Sequence, residues 1–122
     1  MNSIENKKKS FEKLIDLIDS IREKCPWDKE QTFESLSQLT IEETFELFEA
    51  IINDNKDEIK SELGDLLMHI ILYSKIASEK KLFDIGTSLN IAGYLILACY
   101  LNFSDPSCNI RFLSSFSRIF AS

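Results

Sequence analysis

Four acids at helical spacing mark where this chain could do chemistry. Glu43 and Glu46, then Glu62 and Asp65, lie in the stretch IEETFELFEAIINDNKDEIKSELGDLLMHIILYSKIA. Residues i and i+3 of an α-helix project from one face, one turn apart. The polar turn Asn53-Asp54-Asn55-Lys56 separates the stretches that hold the two pairs. If those helices pair antiparallel across the turn, four carboxylates converge on one point. Like charges at this spacing destabilise a helix by about 0.2–0.5 kcal/mol per pair. A divalent cation removes that repulsion, and hard oxygen donors favour Mg²⁺ or Mn²⁺. The plainer alternative is a solvated acidic face. Against it, the inner faces of both helices are otherwise apolar.

The elements that must position these acids are helical. Phe11, Leu14, Ile15, Leu17, Ile18 and Ile21 recur at helical spacing opposite Glu12, Asp16 and Asp19, which predicts a helix over about residues 6–24. Pro26 ends it, lacking a donor and restricting Cys25 before it. A short helix is expected over 32–39, with Thr32 as N-cap. The next, over about 40–53, should bury the stripe Ile41, Phe45, Phe48 and Ile52. The longest, about 57–81, starts from Asp57 as N-cap and carries a core stripe of Ile59, Leu63, Leu66, Leu67, Ile70 and Ala77. Gly64 inside it costs about 1 kcal/mol relative to alanine, tolerable where a helix or ligand must come close.

At 122 residues the chain can hold one modest core. A net charge of −6 argues against nucleic-acid binding through a basic surface. It leaves a phosphorylated substrate open, because bound metal reverses the local sign. Cys25, Cys99 and Cys108 are odd in number and lack metal-ligand spacing, so reduced thiols in a cytoplasmic protein are expected. The basic start MNSIENKKKS precedes an amphipathic segment and not an apolar signal core.

Three motifs follow one another: Cys25-Pro26-Trp27-Asp28-Lys29-Glu30-Gln31-Thr32, then Glu42-Glu43-x-x-Glu46, then Glu62-Leu63-Gly64-Asp65. Together, over roughly residues 8–85, they resemble the MazG family of all-α nucleoside triphosphate pyrophosphohydrolases. The resemblance implies metal ligands at Glu43, Glu46, Glu62 and Asp65. It also implies Mg²⁺-dependent cleavage between the α and β phosphorus atoms of a nucleoside triphosphate, releasing monophosphate and pyrophosphate. Glu42, the extra acid, could orient water or a ligand, or point to solvent. Trp27, Lys29 and Lys60 are candidate substrate contacts, the first by stacking on a base (as Phe33 could), the lysines by neutralising phosphate. Core packing and solvation are the plainer roles. His69, four residues after Asp65, is expected to be a hydrogen-bonded, partly buried histidine more than a site group.

The fold expected is an all-α bundle of antiparallel helix hairpins, completed by homodimerisation because so few helices leave apolar surface uncovered. The composition then changes. After residue 84 only Asp105, Arg111 and Arg118 are charged, although 28% of the chain is charged. Family members continue there with an amphipathic helix, a basic cluster and a His-Pro element, which IGTSLNIAGYLILACYLNF does not match. The division expected is a catalytic helical domain at 1–84 and an atypical, apolar, serine-rich tail at 85–122, helical in part. Membrane insertion is not expected, because polar residues dilute the apolar run. The rival to an active pyrophosphohydrolase is an impaired or truncated module of the same kind that dimerises or binds nucleotide.

Overall fold

The computed structural model describes residues 1–101, which form five helices: α1 (Ile4–Lys24), α2 (Pro26–Glu30), α3 (Phe33–Ile52), α4 (Lys56–Glu79) and α5 (Ile85–Leu101). The described residues contain no strand, so the all-α expectation holds. The expectation for residues 102–122 lies outside the described residues.

Local chemistry sets the boundaries. Ser3 caps α1, its hydroxyl accepting from the Asn6 N–H at 3.2 Å. Pro26 stops α1 and occupies the first turn of α2, where no N–H is needed. Thr32 caps α3 through a reciprocal box with Ser35. The break expected near residue 40 does not occur. Ser37, Thr40 and Thr44 donate their hydroxyls to the carbonyls of Glu34, Leu36 and Thr40 at 2.7, 3.0 and 2.7 Å. Hydroxyls that could have drawn the backbone out of the helix are instead used within it.

The α3–α4 turn is built by one residue acting twice. Asp54 takes a left-handed conformation (φ 54°), and the Asp54 and Asn55 N–H groups bond back to the Ile51 and Ala50 carbonyls at 3.1 and 3.0 Å. That closes α3 with a Schellman motif. The Asn55 side chain then accepts from the Glu58 N–H at 3.3 Å and opens α4. The N-cap is therefore Asn55, not Asp57. A second Schellman ending follows α4, where Lys81 has φ 58°.

α3 packs along α4, and α1 packs on α4 and α2. Ile18, Leu36, Ala50, Ile71, Leu72, Ile76 and Ala77 form the buried core. An ion pair between Lys75 and Asp19, at 2.9 Å, ties α4 to α1. The stripe Ile41, Phe45, Phe48 and Ile52 is not part of this core; these residues are 57–68% exposed. Leu63, Leu67 and Ile70 of α4 are exposed as well, and Ile59 and Leu66 half-buried. At 100° per residue, the stripe lies on the side of α3 opposite Leu36, Glu43 and Ala50. Periodicity identified an apolar face correctly, but the face towards α4 is the other one. Gly64 likewise lacks the close neighbour expected: a Cβ there would meet nothing within 4 Å.

The chain divides into one compact unit, Met1–Asp84, and a second that begins at Ile85 with α5. α5 contains no charged residue. Among the described residues, no helix is long and apolar enough to cross a membrane.

Candidate metal centre

Because α3 turns Glu43 towards α4 and α4 turns Glu62 and Asp65 back, three carboxylates meet between the helices. One oxygen from each lies within 4.8 Å of the others, and all three residues are half-buried. Glu62 Oε2 is buried with no hydrogen-bond partner. Such an atom is costly in a folded protein unless something occupies its lone pairs. Glu46 stays exposed and outside this group of three, one turn along α3. Glu42 is exposed too.

The electrostatics run the same way. Burial raises the Glu43 carboxyl above the ordinary carboxylate value and the charges of Asp65, Glu46 and Glu42 raise it further, while the adjacent Glu62 carboxyl opposes the shift. Burial also raises Glu62, followed by the charge of Glu46, the close approach of the Glu43 carboxyl, and the charges of Asp65 and Glu43. The charges that act on Glu43 and Glu62 all come from other acids. An all-oxygen, anionic donor set with an orphaned buried oxygen fits a hard divalent cation.

The candidate substrate contacts have other partners or are exposed. Trp27 and Lys29 are exposed on α2, and the Trp27 carbonyl accepts from Gln31 Nε2 at 3.1 Å. Lys60 pairs with Asp57 at 2.9 Å on the exposed start of α4, on the side of that helix away from Glu62. Phe33 stacks on Tyr73 with ring centroids 6.1 Å apart, and the Lys80 ammonium lies 4.8 Å from its centre. Among the described side chains, none of these four makes a hydrogen bond or ion pair with Glu43, Glu62 or Asp65.

His69 is buried, and burial lowers its pKa while the charge of Asp65 opposes that shift. Its Nδ1 lies 3.0 Å from Thr40 Oγ1, which is also 2.8 Å from the Tyr73 hydroxyl and 3.0 Å from the Leu36 carbonyl. Thr40 was not evident as a site-forming residue from sequence. Its only signal is register, one turn before Glu43 on the same face.

Arg22 was missed as well. Its buried guanidinium forks onto Glu79, with Nε to Oε1 at 3.0 Å and Nη2 to Oε2 at 2.9 Å. Nη1 donates to the carbonyls of Asp28 and Gln31, the latter at 3.0 Å. One side chain thus pins the α2 turn to the end of α4. The available signal was an arginine in register with the apolar face of α1, four residues after Ile18.

Comparison with known proteins places the helices of this site within a family. The family model "MazG nucleotide pyrophosphohydrolase domain" matches residues 31–92, which include all of α3 and α4. A nucleoside triphosphate pyrophosphohydrolase of Escherichia coli (strain K12) is 40% identical over 77 residues, covering 61% of this chain and 29% of that protein. The nucleoside triphosphate pyrophosphohydrolase/pyrophosphatase MazG of Thermotoga maritima is 44% identical over 77 residues, 62% of this chain and 30% of its own. A nucleoside triphosphate pyrophosphohydrolase of Mycolicibacterium smegmatis is 42% identical over 71 residues, 56% of this chain and 22% of its own. The chain therefore spans less than a third of the length of these relatives.

Proposed function

Since the chain belongs to the MazG nucleotide pyrophosphohydrolase family, we propose that it hydrolyses nucleoside triphosphates to monophosphate and pyrophosphate, with Mg²⁺ (or Mn²⁺) held by Glu43, Glu62 and Asp65. Glu46 completes the ligand set by a side-chain rotation from its exposed position one turn away. The observation that carries this reading is the buried, partnerless Glu62 Oε2 inside a cluster of three carboxylates. A divalent cation supplies charge neutralisation at phosphate oxygens and acidifies water. The chain's own contribution is to hold the acids convergent, and in this reading Glu42, the exposed acid beside Glu43, orients water. Trp27, Lys29 and Lys60 remain proposed substrate contacts that need the substrate to bring them to the acids.

The catalytic domain in this reading is residues 1–84, and 85–122 form a separate tail. The protein acts in the cytoplasm on free nucleotide, without nucleic acid. A homodimer fits the exposed stripe Ile41, Phe45, Phe48 and Ile52, since a face of this kind is stabilised by covering it. The test is pyrophosphate release from a panel of triphosphates with and without Mg²⁺. Metal-dependent release that Glu62→Gln abolishes supports the reading; release that this variant retains overturns it.

One observation favours a weaker enzyme. Ile85–Leu101 contains no lysine or arginine to help hold a triphosphate. In that case a chimera carrying a typical family segment in place of 85–122 releases pyrophosphate much faster than the natural chain. Equal rates dismiss the impaired form.

A further inference from the structure

Thr40 has one hydroxyl proton, two lone pairs and three neighbours: the Leu36 carbonyl at 3.0 Å, His69 Nδ1 at 3.0 Å and the Tyr73 hydroxyl at 2.8 Å. All three contacts are hydrogen bonds at once in only one arrangement. Thr40 donates to the carbonyl, which can only accept, and both the Tyr73 O–H and a His69 Nδ1–H donate to Thr40. The neutral Nδ1–H tautomer and the imidazolium both donate from Nδ1, so the arrangement holds in either charge state of His69. The result is a lock between α3 and α4 in which every proton is assigned.

Its position matters more than its strength. Thr40 precedes Glu43 by one turn, and His69 follows Asp65 by one turn, so the lock borders the acid cluster. The Asn53–Asn55 turn also sets the register of the two helices, but it lies about 15 Å along α3 from Glu43, against about 4.5 Å for Thr40. A slip of one residue moves one helix past the other by about 1.5 Å. Apolar contacts tolerate such a slip, whereas Mg²⁺ demands oxygen ligands at about 2.0–2.1 Å in near-octahedral order. Polar groups with a single satisfying arrangement, half-buried at Thr40 and Tyr73 and buried at His69, resist it.

We propose that Thr40 is a positioning residue for the acid site, fixing through His69 and Tyr73 the α3–α4 register on which convergence of Glu43, Glu62 and Asp65 depends. This rests on the metal reading of that site. The probe is Mn²⁺ alone, titrated calorimetrically into the full chain. Thr40→Val, similar in shape but without the hydroxyl, should weaken Mn²⁺ binding by about tenfold or more, the range seen when groups that orient metal ligands are lost. Thr40→Ser restores it, and Tyr73→Phe gives a smaller loss. Ile18→Ala destabilises the fold from the α1 side and should leave Mn²⁺ affinity unchanged, which separates register from general stability. Wild-type affinity in Thr40→Val overturns the proposal. If the wild type itself takes up no Mn²⁺, the metal reading fails. The register claim is then decided by metal-free crystal structures, in which Thr40→Val must separate the three carboxylates and Thr40→Ser must not.

Discussion

Two polar clusters sit in one small helical unit, and they are finished to different degrees. Around Arg22 every charge has an answer: the guanidinium meets the Glu79 carboxylate and two carbonyls, and its hydrogen bond holds the Glu79 pKa below the ordinary carboxylate value. Around Glu62 like charges crowd together, two of the acids titrate above the ordinary value, and one buried oxygen has no partner. The first cluster holds the structure together. The second strains it. Satisfaction of polar groups, more than burial or charge count, separates the scaffold from the site.

The largest effect that can break this contrast comes from Arg22. Arg22→Ala removes a buried side chain and leaves the Asp28 and Gln31 carbonyls without their donor, with the exposed Glu79 contributing less; it should destabilise the fold by about 3 kcal/mol. Chemical denaturation measures it; a loss under about 1 kcal/mol would mean the knot is ornamental. Next in size is the metal itself. At about a hundredfold over its dissociation constant, Mg²⁺ should stabilise the folded state by about 2.7 kcal/mol, roughly a 10 °C rise in Tm. Glu62→Gln should lose that rise, whereas Arg22→Ala keeps it from a lower baseline.

A smaller effect sharpens the comparison. A Cβ at Gly64 meets nothing within 4 Å, so Gly64→Ala should stabilise the metal-free protein by up to about 1 kcal/mol through helix propensity alone. Its response to Mg²⁺ should match that of the wild type. An altered response would mean that the bare helix surface at Gly64 is used when metal binds.

The smallest effect is a pH dependence. A carboxyl whose pKa is higher in the folded than in the unfolded state binds its proton more tightly when folded. For Glu43 and Glu62 that stabilisation is present at and below the ordinary carboxylate range and is lost as pH rises through the raised values. Glu79, lowered, behaves oppositely: its contribution is present above the ordinary range and lost as pH falls through the lowered value. His69, also lowered, loses its contribution as pH falls from the ordinary histidine value towards the lowered one. Comparing variants isolates the acids. In chelator near neutral pH, Glu62→Gln should be more stable than the wild type. Acidification should close that gap in thermal melts; a constant gap would assign it to packing.

Much of this was legible because helix chemistry is local. The acids' spacing, the stop at Pro26 and the cap at Thr32 each depend on a few neighbouring residues. What was not legible depended on partners. Ile41, Phe45, Phe48 and Ile52 announce an apolar face, but nothing in their periodicity says whether α4 covers it, and α4 does not. The αL positions at Asp54 and Lys81 carry no glycine to mark them, so the start of α4 was misplaced by two residues. Arg22 and Thr40 are ordinary residues in sequence. Their roles arise from carbonyls and rings supplied by other helices.

Chain connectivity gives the two clusters different histories. Glu43, Glu62 and Asp65 belong to consecutive helices joined by a turn that Asn55 both closes and reopens. Closing so short a loop costs little chain entropy, and contacts that are near in sequence form early. The Arg22–Glu79 fork spans 57 positions and has to wait until α1 returns to the end of α4. The acids should therefore meet in the folding transition state, while the clamp closes after it. On that order Arg22→Ala chiefly speeds unfolding and leaves the folding rate almost unchanged. The charge repulsion of the site is then met on the way up the barrier, and the clamp that restrains the finished fold sets how slowly the protein lets go.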